Sequence, residues 1–452
     1  MASATKRAND AEAARALRHA VPRSSHADWS PAPDRPDPVK LLVGAEDSPS
    51  VDLLRLRNAR IAASPSAYLR GSAGMMAADL AHTPNIGVRV QACGDAHLGN
   101  FGIFATPERN VVFDLNDFDE TLPAPYEWDL KRLAASVEVV LRGKNVTTRA
   151  RAEIVAGVVG VYRRKVGEFA GWRALDIWHA RISVADLVGV MPKSARASML
   201  RDPSYADRAR RKNHLGAPNK LTAVVDGHRR FIEDPPILVP LRGTGADLDE
   251  VVGTIDSYRR SLSEEHRALF AKFTLMDVAR KVGISSVGTR CWIGLLEGPR
   301  HPPGDPLFLQ IKQAGPSVLE SYLGRSAVGH HGKRVVAGQR MIQTGTDAFL
   351  GYGTAPGSGL ACYVRQLWDV KGSSDPSRMD LATLTRYAGL CAWVLARAHS
   401  RTGDAALIGG YLGKGQGFDK AVAEFARRYG DQNAADHAAV VQAIADGVLP
   451  AS

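Results

Sequence analysis

The stretch that decides the fold runs from Cys93 to Leu133 and reads CGDAHLGNFGIFATPERNVVFDLNDFDETLPAPYEWDLKRL. It begins with a tight, glycine-rich loop that holds Asp95, His97 and Asn100. A strand-like run follows and ends at Asp114, with further acidic residues directly behind it. Phosphoryl transfer needs such a set, because one carboxylate acts on the attacking hydroxyl while an amide and a second carboxylate hold Mg²⁺ on the phosphate oxygens. Ligand sets built from oxygen alone suit a hard cation such as Mg²⁺.

The motif Gly-Asp-x-His-x-x-Asn, the strand ending in Val-Phe-Asp and the helix start Trp-Asp-Leu resemble the catalytic half of aminoglycoside phosphotransferases and related protein-kinase-like enzymes. That resemblance implies that Asp95 is the catalytic base, with His97 beside it in the catalytic loop. It also implies that Asn100 binds Mg²⁺, that Asp114 is the metal-binding carboxylate, and that Asp129 anchors the following helix.

Two alternatives stay open for this stretch. Asp117 becomes the metal ligand if the strand ends one turn later, and the whole stretch could instead be an acidic turn that binds Ca²⁺ or caps helices. The chain is also similar to a bacterial family named as domain of unknown function 2252, which is itself similar to the kinase superfamily. The segments Tyr68–Gly71, Gly94–Gly102 and Phe113–Glu120 carry that likeness.

The order of the segments differs from that of a kinase. In kinases the nucleotide-binding lobe precedes the catalytic loop, but the residues before Asp95 predict helix and coil. The resemblance places the missing lobe downstream, with Lys281–Arg290 as a glycine-rich phosphate loop, Leu307–Lys312 as the strand with the nucleotide-contacting lysine, and Tyr363–Trp368 as the strand into the hinge. Leu381–His399 resembles the helix that normally runs directly into the catalytic loop. The order therefore predicts a circular permutation, which is tolerated at exposed chain ends.

The resemblance also implies a set of nucleotide contacts. Glu320 is the nearest acidic candidate to pair with Lys312, because the helix near Arg334–Gln343 contains no glutamate. The expected cofactors are ATP and Mg²⁺. The expected cofactor-binding residues are Gly283, Ser285, Ser286, Gly288, Lys312, Glu320 and Gln366.

We therefore expect an α+β, two-lobed protein-kinase-like (aminoglycoside phosphotransferase-like) fold with circularly permuted lobe order. Residues 1–45 are expected to form a mobile N-terminal arm, and 46–280 a helical catalytic lobe with the catalytic and metal loops. A β-rich nucleotide-binding lobe is expected over 281–372, and C-terminal helices over 373–452 complete the catalytic lobe.

Composition narrows the class of protein. The 452 residues are 45% hydrophobic and 23% charged, which is typical of a globular protein and excludes a collagen-like, coiled-coil or wholly disordered chain. The four cysteines form no Cys-x-x-Cys pair, which excludes a zinc ribbon and fits a reducing cytoplasm. No apolar run reaches the ~18 residues of a membrane helix, so no membrane partner is expected. Gly-x-Ser-x-Gly and His-Glu-x-x-His motifs are absent, which argues against a hydrolase triad and a zinc protease.

The net charge of +11 is concentrated between residues 191 and 230, where ten Lys or Arg face three Asp or Glu. Such a segment attracts phosphorylated ligands or nucleic acid, although a solvated helical face is the simpler interpretation. The expected function is Mg·ATP-dependent phosphoryl transfer to a hydroxyl of an unknown small-molecule or protein acceptor. The alternatives are nucleotidyl transfer on the same scaffold, a non-catalytic nucleotide-binding module, and a basic nucleic-acid-binding protein.

Overall fold

A computed structural model of the chain describes most of its residues and shows a mixed α+β protein. The glycine- and serine-rich loop expected to bind phosphate (Gly283, Ser285, Ser286, Gly288) and residues 191–220 of the basic segment 191–230 lie outside the described residues. The described residues are 2–43, 51–108, 110–183, 186, 221–243, 245–281, 289–299, 305–367 and 375–451.

The helices of the described residues fall into an N-terminal group, a central group and a C-terminal group. In chain order they are α1 (Ala2–Ala20), α2 (Pro38–Val43), α3 (Val51–Ala62), α4 (Pro65–Gly71), α5 (Ala73–Ala81), α6 (Tyr126–Gly143), α7 (Thr148–Phe169), α8 (Ala174–His179), α9 (Gly245–Arg259), α10 (Glu264–Phe270), α11 (Glu320–Leu323), α12 (His331–Ile342), α13 (Leu381–Thr402), α14 (Ala405–Leu412) and α15 (Gly417–Ala445). No helix among them is long and apolar enough to cross a membrane.

The strands form small sheets around the predicted catalytic stretch and one large sheet downstream. They are β1 (Arg89–Ala92), β2 (Phe101–Ala105), β3 (Val111–Leu115), β4 (Leu122–Pro125), β5 (Ile182–Ser183), β6 (Thr222–Val225), β7 (His228–Phe231), β8 (Leu238–Pro240), β9 (Thr274–Lys281), β10 (Cys291–Glu297), β11 (Pro306–Gln313), β12 (Gly351–Thr354) and β13 (Ala361–Gln366). β1 pairs with β4, and β2 pairs with β3, in both cases antiparallel.

The large sheet has the strand order β12-β13-β11-β10-β9-β8. Its described pairs are antiparallel, so the side chains of each strand alternate between two faces. Leu307, Leu309 and Ile311 of β11 point to the face that α9 and α10 cover, whereas Phe308 points to the opposite face. Both faces bury apolar side chains, which explains why the strands of this sheet are nearly continuous hydrophobic runs.

The start of this sheet differs from the sequence expectation. The run Thr274–Lys281 lies almost wholly within 46–280, which was expected to be a helical lobe, and the structure makes it β9. β8 lies earlier still, so the sheet draws two strands from before residue 281. Because β9 pairs with strands on both sides, hydrogen bonds of the sheet outweigh a local preference that only weakly favours helix.

The largest core lies among the helices that support β1 to β4. α6 is buried from Tyr126 to Leu141 and packs against α7, α13 and α15. A helix buried on every side is the centre of its domain rather than a surface element. α6 also carries buried charged side chains, including Asp129 and Arg132, and buried charges need partners. Those partners lie in the loops that follow β1.

The N-terminal segment 1–45 also differs from the expected mobile arm, because its described part packs on the C-terminal helices. Trp29 is buried against the rings of Phe425 and Tyr429. Arg35 forms ion pairs at 2.7 Å with both Asp79 and Asp436. An arginine shared between two nearly buried carboxylates orders the segment in spite of its prolines.

Candidate active site

The loop after β1 is fixed from beneath by Asp129 of α6. The backbone N–H groups of Cys93 and Gly94 donate to the two carboxylate oxygens of Asp129, at 2.7 and 2.9 Å. His399 of α13 lies 3.3 Å from the same carboxylate and bonds on its other side to Tyr162. Asp129 therefore holds the backbone directly before Asp95, which is more than the helix-anchoring role that the sequence comparison implied.

A glycine is required at position 94. Its φ of +84° lies in the left-handed region, and a Cβ there would collide with the carbonyl of Glu120. This close contact brings the loop that follows β3 directly against the loop that follows β1. The loop that holds Asp95 and the loop that holds Asp117 and Asp119 therefore form one surface.

Asp95 lies at this surface with 23% of its side chain exposed. Arg132, one turn after Asp129 on α6, donates to Asp95 Oδ1 from Nε at 2.9 Å, and its Nη2 lies 2.8 Å from the same oxygen. Arg132 is buried and also donates to the carbonyl of Leu69 at 2.6 Å. The arginine thus orients the carboxylate through Oδ1 and leaves Oδ2 as the oxygen that can accept a proton from a hydroxyl.

His97 is buried behind Asp95, with its Nε2 3.6 Å from Asp95 Oδ2. Burial lowers the pKa of His97 to about 4, although the charge of Asp95 opposes that shift. The imidazole is therefore neutral at pH 7. The exposed side chain of Arg70 also lies close to the loop of Asp95 and His97, because its Nε would be 3.3 Å from a Cβ atom placed on Gly99 of that loop.

Asn100 joins the two loops through its side-chain amide. Nδ2 donates to the carbonyls of Asp95 and Asp117 at 3.0 and 3.1 Å, and Oδ1 accepts the Asp117 N–H at 2.7 Å. Asn100 was expected to bind the metal. In this structure both ends of its amide are used to hold the loop of Asp117 on the loop of Asp95.

The side chain of Asp114 does not reach the surface that the two loops form. Its side chain is fully buried and pairs with Arg397 of α13, at 2.7 and 2.8 Å from the two carboxylate oxygens. Thr344 donates twice to Oδ2, and the Leu115 N–H donates to Oδ1. These donors occupy the carboxylate, so Asp114 serves as the buried attachment of β3 to α13 and leaves no face open to a cation. The alternative ligand, Asp117, lies one turn further along and is half-buried at the surface.

The large sheet reaches this surface through Lys312. Its Nζ forms an ion pair with Asp119 Oδ2, across a sequence separation of 193 residues. Burial opposes the charge on Lys312, but Tyr363, Asp119 and Asp117 raise the pKa of its amine well above the ordinary value. Lys312 is therefore a charged amine, only 5% exposed, next to two carboxylates.

Two arginines hold the same loop against the sheet. Arg334 of α12 donates to the carbonyls of Asp119 and Thr121, both at 2.7 Å. Arg365 of β13 donates to the carbonyl of Asn116 at 3.0 Å and to Gln310 Oε1 at 2.9 Å. The loop with Asp117 and Asp119 is thus held by one arginine on each side of Lys312.

Two other predicted nucleotide contacts are not brought to this surface. Glu320 lies 3.7 Å from Arg334 Nε, and Lys312 takes Asp119 as its partner instead. Gln366 is on the sheet face opposite to Lys312, because it alternates with Arg365 along β13. With Leu307 and Phe349 it lines a separate pocket of about 270 Å³.

The residues at the surface fit a magnesium ion that arrives with phosphate. Among the described residues, no group of three or more His, Cys, Asp and Glu side chains could hold a metal ion by itself. Mg²⁺ commonly uses one or two carboxylates and completes its shell with water and substrate phosphates. Asn116 Oδ1 and Asp119 Oδ1 are buried and accept no hydrogen bond within the described residues. Each of these oxygens has lone pairs available to a cation, and Asp117 lies between the two residues in sequence.

The arginines and the pairing of Asp119 were not predicted from the sequence. Arg132 could have been found, because it lies three residues after Asp129 and so faces the same side of α6. Arg334, Arg365 and Arg397 carry no comparable local signal, since each contacts β3 or the loop after it, more than two hundred residues away in sequence.

Comparison with known proteins agrees with part of the resemblance. No curated protein and no solved structure matches the chain. A family model, described as an uncharacterized protein conserved in bacteria (DUF2252), matches residues 50–443. The match covers the loop after β1, the large sheet and most of the C-terminal helices, and the chain therefore belongs to the DUF2252 family.

Proposed function

We propose that the protein is a Mg·ATP-dependent phosphotransferase of kinase-like, circularly permuted architecture that acts on a hydroxyl of its acceptor. The observation that carries this proposal is the pairing of Lys312 with Asp119, in a loop that Asn100 ties to Asp95. A buried, charged lysine beside carboxylates is suited to binding phosphate oxygens together with their metal. The partly exposed carboxylate of Asp95, in the adjoining loop, is suited to act as a base.

Each residue then has a distinct role. Asp95 Oδ2 accepts the proton of the acceptor hydroxyl, while Arg132 holds Oδ1. Lys312 binds phosphate oxygens. The carboxylates of Asp117 and Asp119 hold Mg²⁺, which supplies charge neutralisation on the phosphates when bound.

The contact between α13 and β1 supports the permuted order. The Gln91 N–H donates to Thr402 Oγ1 at 3.1 Å, across 311 residues of sequence. Thr402 ends the helix that in kinases runs directly into the catalytic loop, and Gln91 lies in the strand that leads into it here. A Cβ at Gly403 would collide with Val90, so helix and strand lie in close contact. Such a junction is expected where a permutation has separated two consecutive elements.

The first test compares the binding of Mg·ATP by the wild type and by the variant Lys312→Met. Mg·ATP should raise the melting temperature of the wild type through mass-action linkage, and the variant should lose most of that rise. Lys165→Met is the matched control, because Lys165 is a surface lysine of α7 that pairs with Glu168. If saturating Mg·ATP leaves the wild-type melting curve unmoved, the function is a different one.

Asp95→Asn separates catalysis from binding. The variant should keep its affinity for Mg·ATP and lose about 10²–10⁴-fold in turnover, since it cannot accept a proton. Self-modification or slow hydrolysis of radiolabelled ATP measures turnover before the acceptor is identified. Label transferred from the γ position supports phosphoryl transfer, and label from the α position would instead establish nucleotidyl transfer. Wild-type turnover in the variant would exclude Asp95 as the base.

A further inference from the structure

The hairpin of β6 and β7 packs on the sheet face that carries Lys312. Lys312 is paired with Cys291 of β10 and Tyr363 of β13. Because side chains alternate along a strand, Phe308 of β11 points to the same face as Lys312. Phe231, the last residue of β7, packs its ring against Phe308 with centroids 6.1 Å apart.

This end of the face is a separate apolar cluster. Phe231 is 3% exposed within it, although it comes from outside the large sheet. The cluster shares no member with the core on the opposite face or with the helical core. Its members are Phe231, Leu238, Ala279, Ile293, Leu295, Phe308 and Leu367.

The tip of the hairpin is exposed, whereas its base is attached to the sheet. Val224 and Val225 are 66% and 47% exposed, so the strands themselves cover little. At the base, the Phe231 N–H donates to Asp277 at 2.9 Å, and Arg242 donates to the Phe231 carbonyl at 2.8 Å. Arg242 and Asp277 pair at 2.7 Å, and Arg230 donates to the carbonyl of Met276 in β9. The buried Phe231 ring and these polar contacts to β9 therefore anchor the hairpin.

We propose that this hairpin is a plug that closes the apolar part of the nucleotide site, and that Phe231 fills the space of the purine ring. The proposal rests on the proposed function. A nucleotide with its phosphates at Lys312 must lay its base on the same face, and Ile293, Phe308 and Leu367 are the apolar surface available there. Phe231 already covers that surface. The nucleotide then binds only to molecules in which the hairpin has moved off this surface. Its apparent dissociation constant is therefore the intrinsic constant divided by the fraction of such molecules.

Phe231→Ala tests the plug with two probes, Mg·ATP and Mg·tripolyphosphate, by titration calorimetry. The variant should bind Mg·ATP at least about tenfold more tightly, because the apolar cover of a phenylalanine ring no longer competes. Tripolyphosphate carries no ring, so its affinity should not change. Val225→Ala, an exposed position of the same hairpin, is the control and should match the wild type with both probes.

Arg242→Gln provides a second variant that leaves no cavity. It releases the carbonyl of Phe231 and should also tighten Mg·ATP binding. Hydrogen exchange at the Phe231 amide of the wild type should become faster when Mg·ATP is added, because displacement breaks its bond to Asp277.

The outcomes separate the two proposals. Equal or weaker Mg·ATP binding by both variants, or slower exchange at the Phe231 amide with Mg·ATP, would make the hairpin a wall of the site and overturn the plug. In that case a loss of binding in Lys312→Met would still support the proposed function. Absence of Mg·ATP binding in the wild type and in every variant would overturn both.

Discussion

Asp114→Asn should destabilise the protein rather than selectively remove a metal. The substitution keeps the shape of the side chain but leaves Arg397 buried without a counter-charge, since neither side chain is exposed. It also brings an amide NH₂ group toward donors, because Arg397, Thr344 and Leu115 all donate to this carboxylate. Breaking a fully buried ion pair typically costs about 3–5 kcal/mol, or two to four orders of magnitude in the folding equilibrium.

Denaturant unfolding followed by tryptophan fluorescence measures this loss. Asp119→Asn is the matched control, because its side chain is 30% exposed and its partner Lys312 retains Asp117 nearby. We expect that control to lose less unfolding free energy than Asp114→Asn, because a second carboxylate remains near the buried Lys312 amine. The control should instead weaken Mg·ATP binding, whereas folded Asp114→Asn should retain it.

A double variant examines the ion pair itself. Arg397→Met added to Asp114→Asn removes the uncompensated charge, so its loss of stability should be smaller than the sum of the two single losses. If Asp114→Asn is as stable as the wild type and has lost Mg²⁺-dependent nucleotide binding, Asp114 is the metal ligand after all and the assignment to Asp117 and Asp119 fails.

Two further substitutions test the support of the site and of the N-terminal segment. Gly338→Ala should lower the free energy of unfolding by about 1–3 kcal/mol, because its Cβ would collide with Thr121. Gly157→Ala, on an open helix face, should raise it by about 0.5–1 kcal/mol. Equal effects of the two substitutions would contradict the close contact at Gly338. Burial and the nearby Lys131 lower the pKa of His26 from 6.5 to about 3, so only the unfolded chain takes up its proton as the pH falls through 6.5. Between pH 7 and 5 the wild type should therefore lose about 2 kcal/mol more unfolding free energy than His26→Gln. If the unfolding free energies of the two proteins change in parallel with pH, the buried imidazole is not neutral.

The parts of the site that are local in sequence could be predicted. Asp95, His97 and Asn100 lie within six residues, and the glycines around them indicate a tight loop. Two strands of the large sheet, β11 and β13, were also recognisable as β-branched and aromatic runs, whereas β8 and β9 were not. β11 and β13 lie within a residue or two of their expected positions.

The roles of the carboxylates in β3 and in the loop after it could not be predicted from the local sequence. Asp114, Asp117 and Asp119 look alike in sequence, and what distinguishes them is which cation approaches from elsewhere in the fold. Arg397 is 283 residues from Asp114, and Lys312 is 193 residues from Asp119. Charge pairing over such separations follows from the tertiary arrangement. It produces no local pattern in the sequence from which the partners could be predicted.

The same separations have a consequence for how the molecule is made. The loops that hold Asp95 and Asp114 are synthesised early, while Arg397, His399 and Thr402, which support them, are synthesised near the end. At typical rates of translation, Asp114 waits roughly 15 to 60 s for the arginine that neutralises it. During that interval β1 to β4 lack the helix on which they rest. Synthesis of α13 is therefore the event that completes this part of the fold, and a product that stops before α13 contains every residue of the loop after β1 without the side chains of α13 that support it.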